Sequence, residues 1–471
     1  MAAEDGLQPP PPTADELMEL LPERWRAPSR TVDVDALPVW VTAFAAYSRL
    51  RYDSDNKQES DAVSAARIGL RPYPGSDDSG VVDAYLSSNA EALARFDQGI
   101  AAGAVMWPWP PPSRDDDASH VREFMQMKVM IAKRAIRDGD ESTAMAQISG
   151  VARLGAMCID ASRSAMQCLV ADSILAEAAV LTHLALPLLS EDDLRALTKI
   201  LTPPATLGPF KAWRSGMTAL TADTAKIAAS DGAAFAKSML MTERIGTVVT
   251  TMALAKDDEL DMTEPVDPVL FQRIAERKTS VDGRQMMRDI ARCLSLLDGV
   301  VESDWPVVKR RLRDVVDYAV SPAQRNAIDL LSAGKDPGDD PVSSDILTRE
   351  DAATLLWEAM VLPSLEYLAQ SAVSIQAHLA LARTACAIEL HKRSHHALPS
   401  SLHELIDEGL LSDLPRDPFD GGLLRWDYAR GRLWSIGTDG RDDGGVGDVS
   451  RPMKNKDIIW AFTTEASVST P

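Results

Sequence analysis

Apolar residues recur at three- and four-residue spacing through most of this chain, and near the C-terminus that helical period gives way to short alternating runs. The clearest helical stretch runs from Val121 to about Ile200. Phe124, Met127, Ile131 and Ala135 form one stripe, Asp138-Gly139-Asp140 stops it, and Asp140 can cap a second helix from Ser142 to Ile159. A third helix is predicted from Ser162 to about Leu186, and a fourth starts at Ser190, with Asp193 at the capping-box position. Upstream, Thr13 can cap a short helix ending at Pro22, Val39 to Leu50 reads as a helix after Pro38, and Val81 to Ala102 reads as one helical stretch. Trp107-Pro108-Trp109-Pro110-Pro111-Pro112 is a stiff connector whose tryptophans are expected to pack on the helices.

Downstream, Pro203, Pro204 and Pro209 divide helices, and Lys211 to Thr251 holds two or three more. Residues 256–268 and Asp336 to Pro341 read as loops, with a helical region from Ser280 to Val320 between them. Thr348 caps a short helix, and Pro363 is expected to lead a long one ending near His391. That last helix carries Leu365, Leu368, Ala372, Ile375, Leu379, Ala382, Cys386 and Leu390 on one face. Antiparallel helix pairs joined by polar turns predict a hairpin array, loosely like tetratricopeptide repeats, although no clean repeat period occurs. Beyond it come a short helix, Ser401 to Glu408, and strand-like runs at Leu423–Tyr428, Arg432–Ile436 and Ile458–Thr463. The expected fold is mainly α: a proline-rich lead over 1–30, a helical hairpin/array domain over 31–362, a spine helix with a small α+β domain and short antiparallel sheet over 363–465, and a tail over 466–471.

Composition narrows the partners. A net charge of −21 argues against nucleic acid and anionic lipid, which call for clustered Lys and Arg. No run reads as a membrane span, and the acidic, proline-rich N-terminus is unlike a secretory signal, so the default location is the cytoplasm. Cys158, Cys168, Cys293 and Cys386 each sit in an apolar helical pattern without metal-binding spacing, and are expected to be reduced, buried thiols.

Carboxylates and glycines concentrate in one stretch: Asp417-Pro418-Phe419-Asp420-Gly421-Gly422, Ser435-Ile436-Gly437-Thr438-Asp439-Gly440, Asp442-Asp443-Gly444-Gly445 and Asp457-Ile458. In this order, after a long helix, they resemble the C-terminal region of major pseudopilins of type II secretion systems, the GspG-like proteins. The resemblance covers about residues 375–465. It implies a helix spine carrying an antiparallel sheet and a calcium-binding loop. Side-chain ligands would be Asp439 and Asp457, with backbone oxygens from Leu433–Gly437; Asp442, Asp443 and Asp448 are further carboxylates on the loop. The alternative is a solvated Asp/Gly turn. The spacing is not that of an EF-hand. The helical part, around Asn89 to Ala94, Arg137 to Asp140 and Thr242 to Arg244, resembles uncharacterised helical proteins of planctomycete-type and related bacteria that often end in such a tail. A prepilin leader and apolar N-terminal helix are lacking, so pilus-type polymerisation is not expected. A start further upstream would place the protein in the cell envelope.

His391, His395, His396 and His403 form the histidine cluster. On one helix His391 and His395 share a face and can hold zinc, but the cluster also suits a polar turn after the spine helix. No nucleophile elbow, phosphate loop or dinucleotide fingerprint occurs, and Glu243-Arg244 reads as a structural ion pair in an apolar stretch. The sequence therefore predicts a non-enzymatic binding or assembly protein with a protein partner and calcium as the candidate cofactor. The alternative is an enzyme with a carboxylate or metal site around Glu243, or around Glu358 and His378.

Overall fold

The computed structural model describes residues 76–103, 116–161, 165–202, 305–319, 352–446 and 457–462, with isolated positions elsewhere. These are 67% helical and include one three-stranded antiparallel sheet, a mainly α architecture. Apart from isolated positions, the proline-rich lead, the 39–50 helix, the Trp107–Pro112 connector, the 211–251 helices, the 256–268 loop, Glu243-Arg244, Cys293 and Thr348 lie outside the described residues.

Contacts group the chain into two compact units. One comprises Met1–Ser29, Arg214–Ser303 and Val307–Ala369; in it Val308 and Leu312 of helix α7 (Trp305–Ala319) are buried. The other comprises Arg30–Trp213, Asp304–Pro306 and Gln370–Pro471.

In the second unit the expected 81–102 helix is two: α1, Ser76–Ser88, and α2, Ala90–Ala102. The break follows from Ser87-Ser88-Asn89, whose side chains all turn back to carbonyls of the preceding turn. The Ser87 hydroxyl donates to Asp83 O, and Ser88 and the Asn89 amide both donate to Tyr85 O. Such local bonds compete with helix continuation. Helix α3, Asp116–Asp138, stacks Phe124 on Phe96 of α2 with ring centres 4.4 Å apart.

Gly139, at φ 73, reverses the chain. Asp140 then accepts from the Thr143 amide and the Ser142 hydroxyl, capping α4, Glu141–Ala161, as the sequence indicates. Helix α5, Ala165–Ala185, packs against both α3 and α4. Its window Cys168–Ala185 is long and apolar enough to cross a membrane, which the sequence reading did not anticipate; 61% of it is buried, as in the core helix of a packed layer. Cys158, Cys168 and Cys386 are buried thiols outside any disulfide.

Ser190 caps α6, Glu191–Ile200, by accepting from the Asp193 amide at 3.3 Å. The other half of the capping box is supplied from elsewhere: Glu141 accepts from the Ser190 amide. The Leu186 and Leu189 carbonyls, just past the end of α5, accept from Arg393 at 3.0 and 2.5 Å.

Helix α8, Ala352–His395, begins before Pro363 and passes through it, so the expected short helix and spine are one. Proline inside a helix removes one backbone donor and crowds the preceding turn, yet helical residues continue on both sides of it. His396, at φ 55, ends α8. A short helix α9, Glu404–Asp407, precedes strands β1 (Arg425–Asp427), β2 (Arg432–Ser435) and β3 (Ile458–Ala461), with β2 central. In register, Leu433 faces Trp426 and Trp460, and Trp434 faces Arg425 and Ile459. Trp460 meets His183 of α5 with ring centres 4.4 Å apart, and Phe419 meets Trp305 edge-on at 6.4 Å.

Among the described glycines the closest helix approach is at Gly155 of α4, where a Cβ would lie 2.7 Å from Leu175 Cγ and 3.2 Å from its backbone nitrogen. Gly155→Val is therefore expected to destabilise the fold by about 1–3 kcal/mol, read as a lower urea midpoint; an unchanged midpoint would mean α4 and α5 separate freely there.

Candidate functional site: the acidic C-terminal module

The module is built around a carboxylate without solvent access. Asp417 is buried and accepts from the Phe419 amide at 3.0 Å, the Ile436 amide at 2.9 Å, the Ser435 hydroxyl at 2.9 Å and Arg425 Nη1 at 2.5 Å. Its own backbone closes the 417–422 turn, the Asp417 amide donating to Gly422 O and the Gly421 amide to Asp417 O. Burial pushes the carboxyl's pKa up, while the backbone donors, Ser435 and Arg425 pull the other way. Arg425 also pairs with Asp420 and lies 3.5 Å from Asp442 Oδ2. One guanidinium thus serves three carboxylates.

The predicted calcium ligands divide accordingly. Asp442 belongs to the paired set: its Oδ1 accepts from Trp434 Nε1 and from the Gly444 amide, both at 3.0 Å. Asp457, buried at the head of β3, accepts from the Asp443 amide at 3.3 Å and the Gly445 amide at 2.7 Å. Burial raises its pKa, and the charges of Asp442 and Asp443 raise it further. Asp439 accepts from the Arg441 amide at 2.9 Å. No ion pair to a cationic side chain is formed by Asp439, Asp443 or Asp457 among the described residues. Asp448 lies outside them. Gly445, at φ 68, brings the loop so close to Trp434 that a Cβ would sit 3.0 Å from the indole ring.

The histidines are placed differently from one another. His391 and His395 share the last face of α8 with rings stacked at 4.3 Å, while His396 and His403 are exposed. His391 Nδ1 lies 2.9 Å from Glu408 Oε1, and His395 Nε2 lies 3.6 Å from the same oxygen. Glu404 and Glu408 were not singled out by the sequence reading, although their four-residue spacing at the 404–408 turn was available as a signal.

Buried ionisable groups inside the helical layer have separate surroundings. Ser371 donates to Asp172 at 2.7 Å, and burial pushes the Asp172 carboxyl up to about 7. Lys133 donates to Ala66 O; burial lowers its pKa to about 8, against the attraction of Glu177. Asp172 and Glu177, five residues apart on α5, point to different faces. His378 is buried with no hydrogen-bond partner on Nε2, and its pKa falls to about 4. It lies two turns beyond Ser371, about 10 Å along the helix axis, out of reach of a serine–histidine relay. The side chain of Glu358 lies outside the described residues.

Comparison of the chain with known protein families, curated proteins and solved structures finds no match.

Two outcomes are expected. Asp417→Ala leaves two backbone amides and the Ser435 hydroxyl without their acceptor and takes from Arg425 its buried partner, leaving it Asp420 and Asp442, and should cost about 3–5 kcal/mol, measured by urea denaturation. Asp172 binds a proton more tightly folded than unfolded, so its contribution to stability is fully present below about pH 4 and is lost as pH rises to about 7. The stability difference between wild type and Asp172→Asn should therefore change by a few kcal/mol across that interval and be flat above it; a flat difference throughout would show Asp172 to be ordinary.

Proposed function

We propose that the chain is a non-catalytic binding or assembly protein whose C-terminal module is a pseudopilin-like contact element stapled by calcium. The observation that carries this reading is that, among the described residues, Asp439, Asp443 and Asp457 of the loop have no cationic partner while the neighbouring Asp417, Asp420 and Asp442 are neutralised by Arg425. Mutual repulsion on a glycine-turned loop is relieved by a hard cation, and all the donors offered are oxygens, the type calcium prefers. The carboxylate oxygens of Asp439, Asp443 and Asp457 do not all lie within 4.8 Å of one another, so an ion would have to draw them together, with backbone oxygens of 433–437 completing its shell, and it would supply positive charge to this side of the loop. The motif order from Asp417 to Asp457 supports the pseudopilin likeness. Leu423, Tyr428 and Val446, exposed large apolar residues, belong to this module and give a protein partner something to bury. The separation of Asp172, His378 and the Lys133–Glu177 pair speaks for binding over catalysis in the helical layer.

Thermal unfolding with and without millimolar CaCl₂ tests the reading. Wild type should gain about 2.7 kcal/mol when calcium is a hundredfold above its Kd, with reversal by chelator, and Asp439→Ala should lose the gain. Equal midpoints with and without calcium in wild type would leave the loop a solvated turn.

A further inference from the structure

We propose that the end of α8 and the turn of α9 form a site for a zinc-class transition-metal ion, with His391, His395 and Glu408 as ligands and Glu404 as the carboxylate behind His391. Two four-residue pairs create it. Because α8 continues to His395, His391 and His395 emerge on one face. The reversal at His396 and the helical turn at 404–408, where the Glu408 amide donates to Glu404 O at 3.0 Å, lay Glu404 and Glu408 against that face. Among the described residues this is the one group of three histidine, cysteine or carboxylate ligand atoms lying within 4.8 Å of one another.

The distances suit a small tetrahedral ion. Ligand atoms about 2.0–2.1 Å from zinc stand about 3.3 Å apart. Glu408 Oε1 is 2.9 Å from His391 Nδ1 and 3.6 Å from His395 Nε2, on either side of that spacing. Each ring also has its second nitrogen facing an acceptor. His395 Nδ1 lies 3.1 Å from His391 O, so it carries the proton and leaves the Nε2 lone pair outward. His391 Nε2 lies 3.6 Å from Glu404 Oε2, and Glu404 is itself fixed by the amide and hydroxyl of Ser400. A carbonyl behind one histidine and a carboxylate behind the other is the outer arrangement that orients metal-bound imidazoles. His391 is buried, whereas Glu408 and His395 are solvent-accessible, giving an ion a way in and a fourth position open to water. Two nitrogens in the set select zinc, cobalt or nickel over calcium, so this site and the acidic loop respond to different ions.

The test uses the full chain, free of any purification tag and stripped with chelator, titrated with Co²⁺ and then Zn²⁺. One equivalent of Co²⁺ should give the intense visible absorption of a four-coordinate ion, displaced by Zn²⁺. His395→Ala, at a half-exposed position that the fold tolerates, should weaken binding by about a hundredfold or more, and Glu404→Gln, which keeps all three ligands, by about ten- to a hundredfold. Asp439→Ala should bind Co²⁺ as wild type does, so loss of the calcium effect and loss of this site are separately visible. The weak spectrum of the hydrated ion in wild type, or an unchanged affinity in His395→Ala, would overturn the proposal.

Discussion

A carboxylate shut away from water must find its donors within the chain, and in this protein that requirement fixes the C-terminal module. Asp417 draws two amides, a hydroxyl and Arg425 onto itself, which ties the 417–422 turn to the end of β2. Its burial would be strongly unfavourable without them. Once Arg425 is held there, Asp420 and Asp442 gather on the same guanidinium. The remaining acidic residues are then left on the far side of the charge balance. The division of the loop into a neutralised half and an uncompensated half is a consequence of where one arginine is anchored.

Local chemistry was legible in the sequence where a single residue decides the outcome. Asp140 and Ser190 cap helices because a short oxygen-bearing side chain precedes an apolar period, and the three strands fall within their predicted runs. What escaped depended on partners distant in the chain. Nothing near Ser190 points to Glu141 as its second capping partner, and nothing near Leu189 points to Arg393. Pro363 misled because a proline inside a long helix reads like a helix start, and Asn89 was missed because its breaking effect lies in side-chain bonds to Tyr85 rather than in glycine or proline. The candidate site was half visible: the His391–His395 spacing could be read directly, but the facing glutamates needed the reversal at His396.

Composition and contacts also report different things. The change of texture after α8 marks where helical periodicity stops along the chain. Spatial grouping unites Arg30–Trp213 with Gln370–Pro471 in one compact unit, and the ring contact of His183 with Trp460 lies inside it. The high apolar content of α5 belongs to the same picture, since a helix packed against both α3 and α4 has little circumference left for polar residues.

The position of β3 has a consequence for synthesis on the ribosome. The central strand β2 pairs on one side with β1, which precedes it closely, and on the other with Ile458–Ala461. Until that last segment has left the exit tunnel, β2 presents an open hydrogen-bonding edge beside Leu433 and Trp434, the kind of edge that recruits other chains. The helical segments of the same unit emerge much earlier and can fold as they appear. Closure of the sheet thus follows emergence of the helical segments, and until β3 arrives the open edge of the unit is concentrated at β2.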